Sequence, residues 1–140
     1  MAKYRRGKKM DPAVMTMTFA TPDTVGGDYT IDLSQCASLM NRRFYRQGIN
    51  WVVESIKFSS STTGSIVVSK LPTTWVAYQA WKKAFAAWND QQKAALEESG
   101  AESARARFSD FKIHMDATHV TAGFGTNLLP IDASGNPYAP

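Results

Sequence analysis

Five of the first nine residues are cationic, Lys3, Arg5, Arg6, Lys8 and Lys9, and no acid stands among them. The formal net charge is +4, from 16 Lys and Arg against 12 Asp and Glu, so this arm holds the whole excess. The rest of the chain is close to neutral. A cationic stretch with no apolar pattern has little to bury, and the chemistry open to it is the binding of a polyanion by charge. Nucleic acid is the expected polyanion; a solubilising tail, a localisation signal or an expression remnant has the same composition. A second basic group, Arg42, Arg43 and Arg46, is interleaved with Phe44 and Tyr45 and followed by Trp51. Guanidinium groups offer forked donors to phosphates, and aromatic rings stack on unpaired bases. The alternative is that these arginines pair with acids such as Asp32 while the aromatics join the core.

Other residues that could do chemistry are few. His114 and His119 are the only histidines, with Asp116 between them. In a strand, His114 and Asp116 would share a face, as two metal ligands might be arranged, but no third histidine exists and the lone Cys36 is distant in sequence. A surface or hydrogen-bonded role is expected for them, and no metal or cofactor. Cys36 has no neighbouring histidine or oxyanion motif, so a buried structural thiol is expected. Gly123-Phe124-Gly125-Thr126 lacks the Lys-Ser/Thr ending of a phosphate loop and reads as a tight turn. No catalytic activity is expected.

The elements that position these residues follow from periodicity. Residues 1–11 are expected to be a disordered basic arm and 12–140 a single domain. Met15, Met17 and Phe19 alternate with Thr16 and Thr18 as a half-buried strand, and Tyr29, Ile31 and Leu33 form a second. Ser34 can cap a helix running to about Gln47, with Gly48 as its stop. Trp51–Phe58 and Ser65–Lys70 are rich in strand formers and flank a polar loop, the pattern of a hairpin. Thr73-Thr74 opens the clearest helix, with Trp75, Tyr78, Trp81, Phe85 and Trp88 spaced 3, 3, 4 and 3 residues apart as a core or interface stripe. Gly100 interrupts it. Ser99 and Glu102 permit a further short helix to about Arg107, and Phe108–Met115 returns to strand-like character. Thr118–Pro140 reads as loop.

Short strands broken by one long helix predict a mainly β fold, an antiparallel body with helical insertions. A hydrophobic content of 44% is that of a folded domain. There is no run of eighteen apolar residues, so no membrane span is expected. One cysteine excludes an intrachain disulfide, which fits a reducing compartment.

Four stretches, in order, carry a resemblance. They are Ile31 to Gly48 (IDLSQCASLMNRRFYRQG), Lys70 to Val76 (KLPTTWV), Gly100 to Ile113 (GAESA and FSDFKI), and Ala122 to Pro130 (AGFGTNLLP). Together they resemble segments of capsid proteins from environmental circular Rep-encoding single-stranded DNA viruses, over most of residues 30–140. The resemblance implies an antiparallel β-sandwich, a single jelly roll. It implies a shell domain at 12–140 that tiles an icosahedral virion by self-assembly. It also implies that the arm packages a single-stranded DNA genome, with assembly in the host nucleus. An eight-stranded jelly roll would continue past Tyr138, so 12–140 is expected to be this domain or its N-terminal part.

The nucleic-acid-binding residues expected are therefore Lys3, Arg5, Arg6, Lys8 and Lys9, with Arg42, Arg43 and Arg46 in support. The competing expectation is a small cellular single-stranded nucleic-acid-binding module that uses the same arm without forming a shell.

Overall fold

The computed structural model describes residues 13–21, 26–48, 51–101, 103 and 110–138. Among them are three α-helices, α1 (Leu33–Asn41), α2 (Trp75–Ser99) and α3 (Ala117–Ala122), and a 3₁₀ turn at Phe124–Thr126. The described residues contain no β-strand, and one isolated antiparallel bridge joins Ile131 and Pro137. The expected jelly-roll sandwich, and the mainly β class with it, is overturned.

The reason lies in pairing. Strand-forming residues at 13–19, 28–32, 51–58, 65–71 and 110–114 adopt neither helix nor strand, and these segments lie singly. Where they are bonded, it is by one rung at a time. Leu128 N–H donates to Thr30 O at 2.8 Å and Ile131 N–H to Thr18 O at 2.8 Å. Side-chain amides take the place of a neighbouring strand elsewhere. Asn41 Oδ1 accepts from Val14 N–H at 2.7 Å while its Nδ2 donates to Val14 O at 3.3 Å. Gln47 Oε1 accepts from Ile113 N–H at 2.7 Å. A ladder never starts.

The body is built around α1, which carries the buried residues Ser34, Cys36 and Ala37. Its N-cap is Asp32 and not Ser34: Asp32 Oδ1 accepts from Ser34 N–H at 2.9 Å and Gln35 N–H at 3.3 Å. The helix ends at Arg42, well before Gly48. Arg42 adopts the left-handed conformation (φ 49°), and the Arg42 and Arg43 N–H groups bond back to Leu39 and Ser38. Ser38 Oγ, which accepts from Tyr45 N–H at 2.9 Å, then fixes the exit of the chain. The far end of the molecule reaches α1 through Asn127 Nδ2, which donates to Gln35 Oε1 at 2.9 Å, and through Cys36 Sγ, directed at Leu128 O.

Helix α2 runs as its pattern predicts. Thr74 Oγ1 accepts from Ala77 N–H, and Gly100 closes the C-terminus at φ 66° with its N–H on Glu97 O. Its aromatic stripe divides. Trp81, Phe85 and Trp88 surround Phe111 with ring centroids 5.8, 5.7 and 5.8 Å away. Trp75, at 74% exposure, and Tyr78 face outward. Gly48 permits the approach of the α1 exit to this layer, since a Cβ there would lie 2.7 Å from the Trp81 ring and φ is +93°.

Two further expectations change. The hairpin across 51–70 is absent: Thr62 N–H bonds to Ser60 Oγ inside the loop, and no backbone bond joins the two arms among the described residues. A two-stranded hairpin is marginal in isolation, and residues 52–70 are exposed, with no described element covering them. Thr118–Tyr138, the described part of the stretch expected to be loop, holds most of α3, the 3₁₀ turn and a tight reversal at Asp132–Asn136. The short helix expected to follow Ser99, up to Arg107, lies largely outside the described residues.

Candidate nucleic-acid interface

Lys3, Arg5, Arg6, Lys8 and Lys9 lie outside the described residues. Arg42, Arg43 and Arg46 sit on the stretch that leaves α1, and the structure places them unequally. Arg42 and Arg43 are exposed at the helix end, and Arg43 lies 6.0 Å from the Tyr45 ring centroid. Arg46 is half-buried and lies 4.7 Å over the Phe85 ring, with its Nε buried and lacking an acceptor. Two of the three thus share one solvent-facing corner, and the third belongs to the aromatic layer against α2.

Among the described residues none of the three has a carboxylate partner; the ion pair found there is Lys112 Nζ to Asp110 Oδ2 at 3.2 Å. Asp32, the acid nearest in sequence, is already committed. Its Oδ1 caps α1 and its Oδ2 accepts from Gln47 Nε2 at 2.7 Å. The alternative that Asp32 neutralises these arginines is therefore not realised. The aromatics are divided as well. Trp51 donates Nε1–H to Ser34 Oγ at 2.9 Å and meets Tyr45 edge-on at 5.7 Å, so this pair is fixed against α1 and is not a free stacking platform.

An open cleft of about 170 Å³ lies beside this corner, lined by Asp32, Ser34, Gln35, Tyr45, Gln47, Asp110 and Lys112, among others. Two carboxylates at its wall repel phosphate, so the cleft is a poor seat for a nucleic-acid backbone.

The histidines are structural in this arrangement. His114 stacks on Phe124 at 4.0 Å, and His119 meets both rings edge-on. His119 Nδ1 accepts from Met115 N–H at 2.9 Å, while Asp116 Oδ1 caps α3 by accepting from His119 N–H at 2.8 Å. Among the described residues, no group of three or more His, Cys, Asp or Glu side chains could hold a metal ion. Cys36 is fully buried. Burial, with a smaller contribution from the nearby Asp32, pushes its thiol up from an ordinary 9.0 to about 12 against its own backbone hydrogen bond, so it is no nucleophile at neutral pH.

Sequence reasoning missed the two amides that organise the site, Asn41 and Gln47. Neither belongs to a local motif, because each bonds a backbone group 27 or 66 residues away. The capping role of Asp32 was open to reading, since an Asp directly precedes the first apolar helical residue. No described helix is long and apolar enough to cross a membrane. Comparison with protein-family models, with curated proteins and with solved structures finds no match for this chain.

Proposed function

We propose that this chain is a structural capsid protein that assembles in many copies into an icosahedral shell and packages single-stranded DNA through its N-terminal cations. The observation that carries the reading is the distribution of charge. Five cations occupy the first nine residues, and three arginines beside α1 have no carboxylate partner among the described residues. Arg42 and Arg43, exposed and without a carboxylate partner among the described residues, are available to phosphates. In this role the arm faces the interior of a virion, and Lys3 to Lys9 also serve as an import signal where the particle is built in the host nucleus.

Phosphate neutralisation releases counterions, which makes the reading measurable. Single strands give a log–log salt slope of about −0.7 per phosphate contacted, so five arm cations contribute about −3.5. Deleting residues 1–10 removes that portion of the slope and lowers the DNA content of the particles, while the exposed Arg42 and Arg43 account for most of what remains. Unchanged slope and unchanged DNA content in the deleted protein overturn the assignment. Tight DNA binding with only monomers or small oligomers would select the cellular binding module instead.

A further inference from the structure

We infer that residues 52–73 form an interchain strand-pairing element whose occupant is a second copy of this chain. The inference rests on the assembly reading above and assigns the surface that this reading leaves unspecified. The segment is tethered at both ends, by Trp51 to Ser34 and by α2 to Phe111. Between these anchors it forms neither helix nor strand, bends at Ser61 and Thr62, and is exposed throughout. Loops of this length without secondary structure of their own are uncommon in compact domains and usually functional.

Its chemistry is that of a sheet lacking neighbours. Among the described residues, no backbone N–H or C=O of 52–58 or 65–71 has a hydrogen-bond partner. Strand formers cover both stretches, yet Val52 is 91% and Val67 87% exposed. Single exposed apolar residues are ordinary, but a run of strand formers on backbone with no described partner has the chemistry of an open edge.

Area sets the scale. The chain exposes 12294 Å². A compact monomer of 15.5 kDa exposes about 7200 Å². If every undescribed residue is granted the area of an extended chain, the described residues still exceed a compact domain of their size by about 1700 Å². A standard interface buries about 800 Å² on each partner, so the excess suffices for contacts with two neighbours.

The occupant follows from what the segment needs. A lipid surface cannot satisfy free peptide groups. A nucleic acid finds little charge here, because Glu54 offsets one of Lys57 and Lys70. A second copy brings the same unpaired strand-forming stretches, and a net charge of only +1 on each segment makes their mutual repulsion small. In an antiparallel pair about a two-fold axis, residues of like parity stand opposite each other, which gathers Val52, Ile56 and Phe58 of both copies on one face.

The test uses the full chain and the double variant Val52→Asp with Val67→Asp, followed by sedimentation velocity and by hydrogen exchange of the 52–58 and 65–71 amides. The wild type is expected to associate with these amides protected, and the variant to associate at least about 100-fold more weakly. Retention of the α2 circular dichroism and of tryptophan emission shows the body still folded. A variant that associates as the wild type does, or amides that exchange freely within the assembled species, overturns the surface and leaves the shell reading standing. A wild type that stays monomeric, with or without single-stranded DNA, overturns both.

Discussion

Asn41 and Gln47 use their side-chain amides as a neighbouring strand would use its peptide groups, and much of the body depends on them. Gln47 joins the N-cap of α1 to the 110–115 segment, since Nε2 donates to Asp32 Oδ2 while Oε1 accepts from Ile113 N–H. Gln47→Ala orphans both partners, and a loss of about 2 kcal/mol in urea unfolding is the expected cost. An unchanged midpoint would show that water replaces the amide without penalty. Cys36 gives a second residue-scale prediction. Burial holds its thiol neutral up to about pH 12 in the fold, against an ordinary 9.0. A raised pKa contributes stability that is complete below 9.0 and is lost as pH climbs toward 12. Alkaline destabilisation across that window should therefore diminish in Cys36→Ala. Thiol reagents at neutral pH should label wild-type Cys36 only as fast as the protein opens; rapid labelling of the native state contradicts this burial.

Elements differed in how far their residues announced them. Helix α2 was legible because the stripe, the Thr74 cap and the Gly100 stop all act within a few residues of one another. Helix α1 was legible in place but not in length. The chain turns at Arg42, a non-glycine residue in the left-handed region, where the bonds from Asn41 and Ser38 to other segments outweigh local preference. The expected strands do not form among the described residues: Leu33 belongs to α1, and Met15 is exposed instead of half-buried. Alternation at Met15–Phe19 and Tyr29–Leu33 encodes which side faces inward, but not which segment lies alongside, and here helices and amides lie alongside instead of strands. Helix α3 escaped notice because six residues, two of them threonine and one valine, carry too short a pattern. Of the candidate site, the types of Arg42, Arg43 and Arg46 were legible. Their division between a solvent corner and the Phe85 layer was not, since it depends on the crossing of 46–48 over α2. That crossing predicts the effect of Gly48→Ala: a Cβ 2.7 Å from Trp81 at φ +93° should destabilise by about 2 kcal/mol and shift tryptophan emission. Unaltered emission and stability would place the two segments apart.

For the whole molecule, charge and surface describe complementary halves of one behaviour. Among the described residues, Arg42 and Arg43 have no carboxylate partner, and the 52–58 and 65–71 backbone has no hydrogen-bonded neighbour. Neutralising Arg42 and Arg43 together should weaken DNA binding about equally for all sequences and reduce the salt slope by about 1.4, a smaller change than loss of the arm. A sequence-dependent loss in a panel of oligonucleotides would instead assign these side chains to base reading. The most direct test of the account is sedimentation of the full chain mixed with single-stranded DNA, with absorbance detection that separates protein from nucleic acid. Large, uniform particles that carry DNA and release it as salt rises are the predicted result. Monomers or small oligomers spread along the DNA, or particles that assemble empty in its presence, would contradict it.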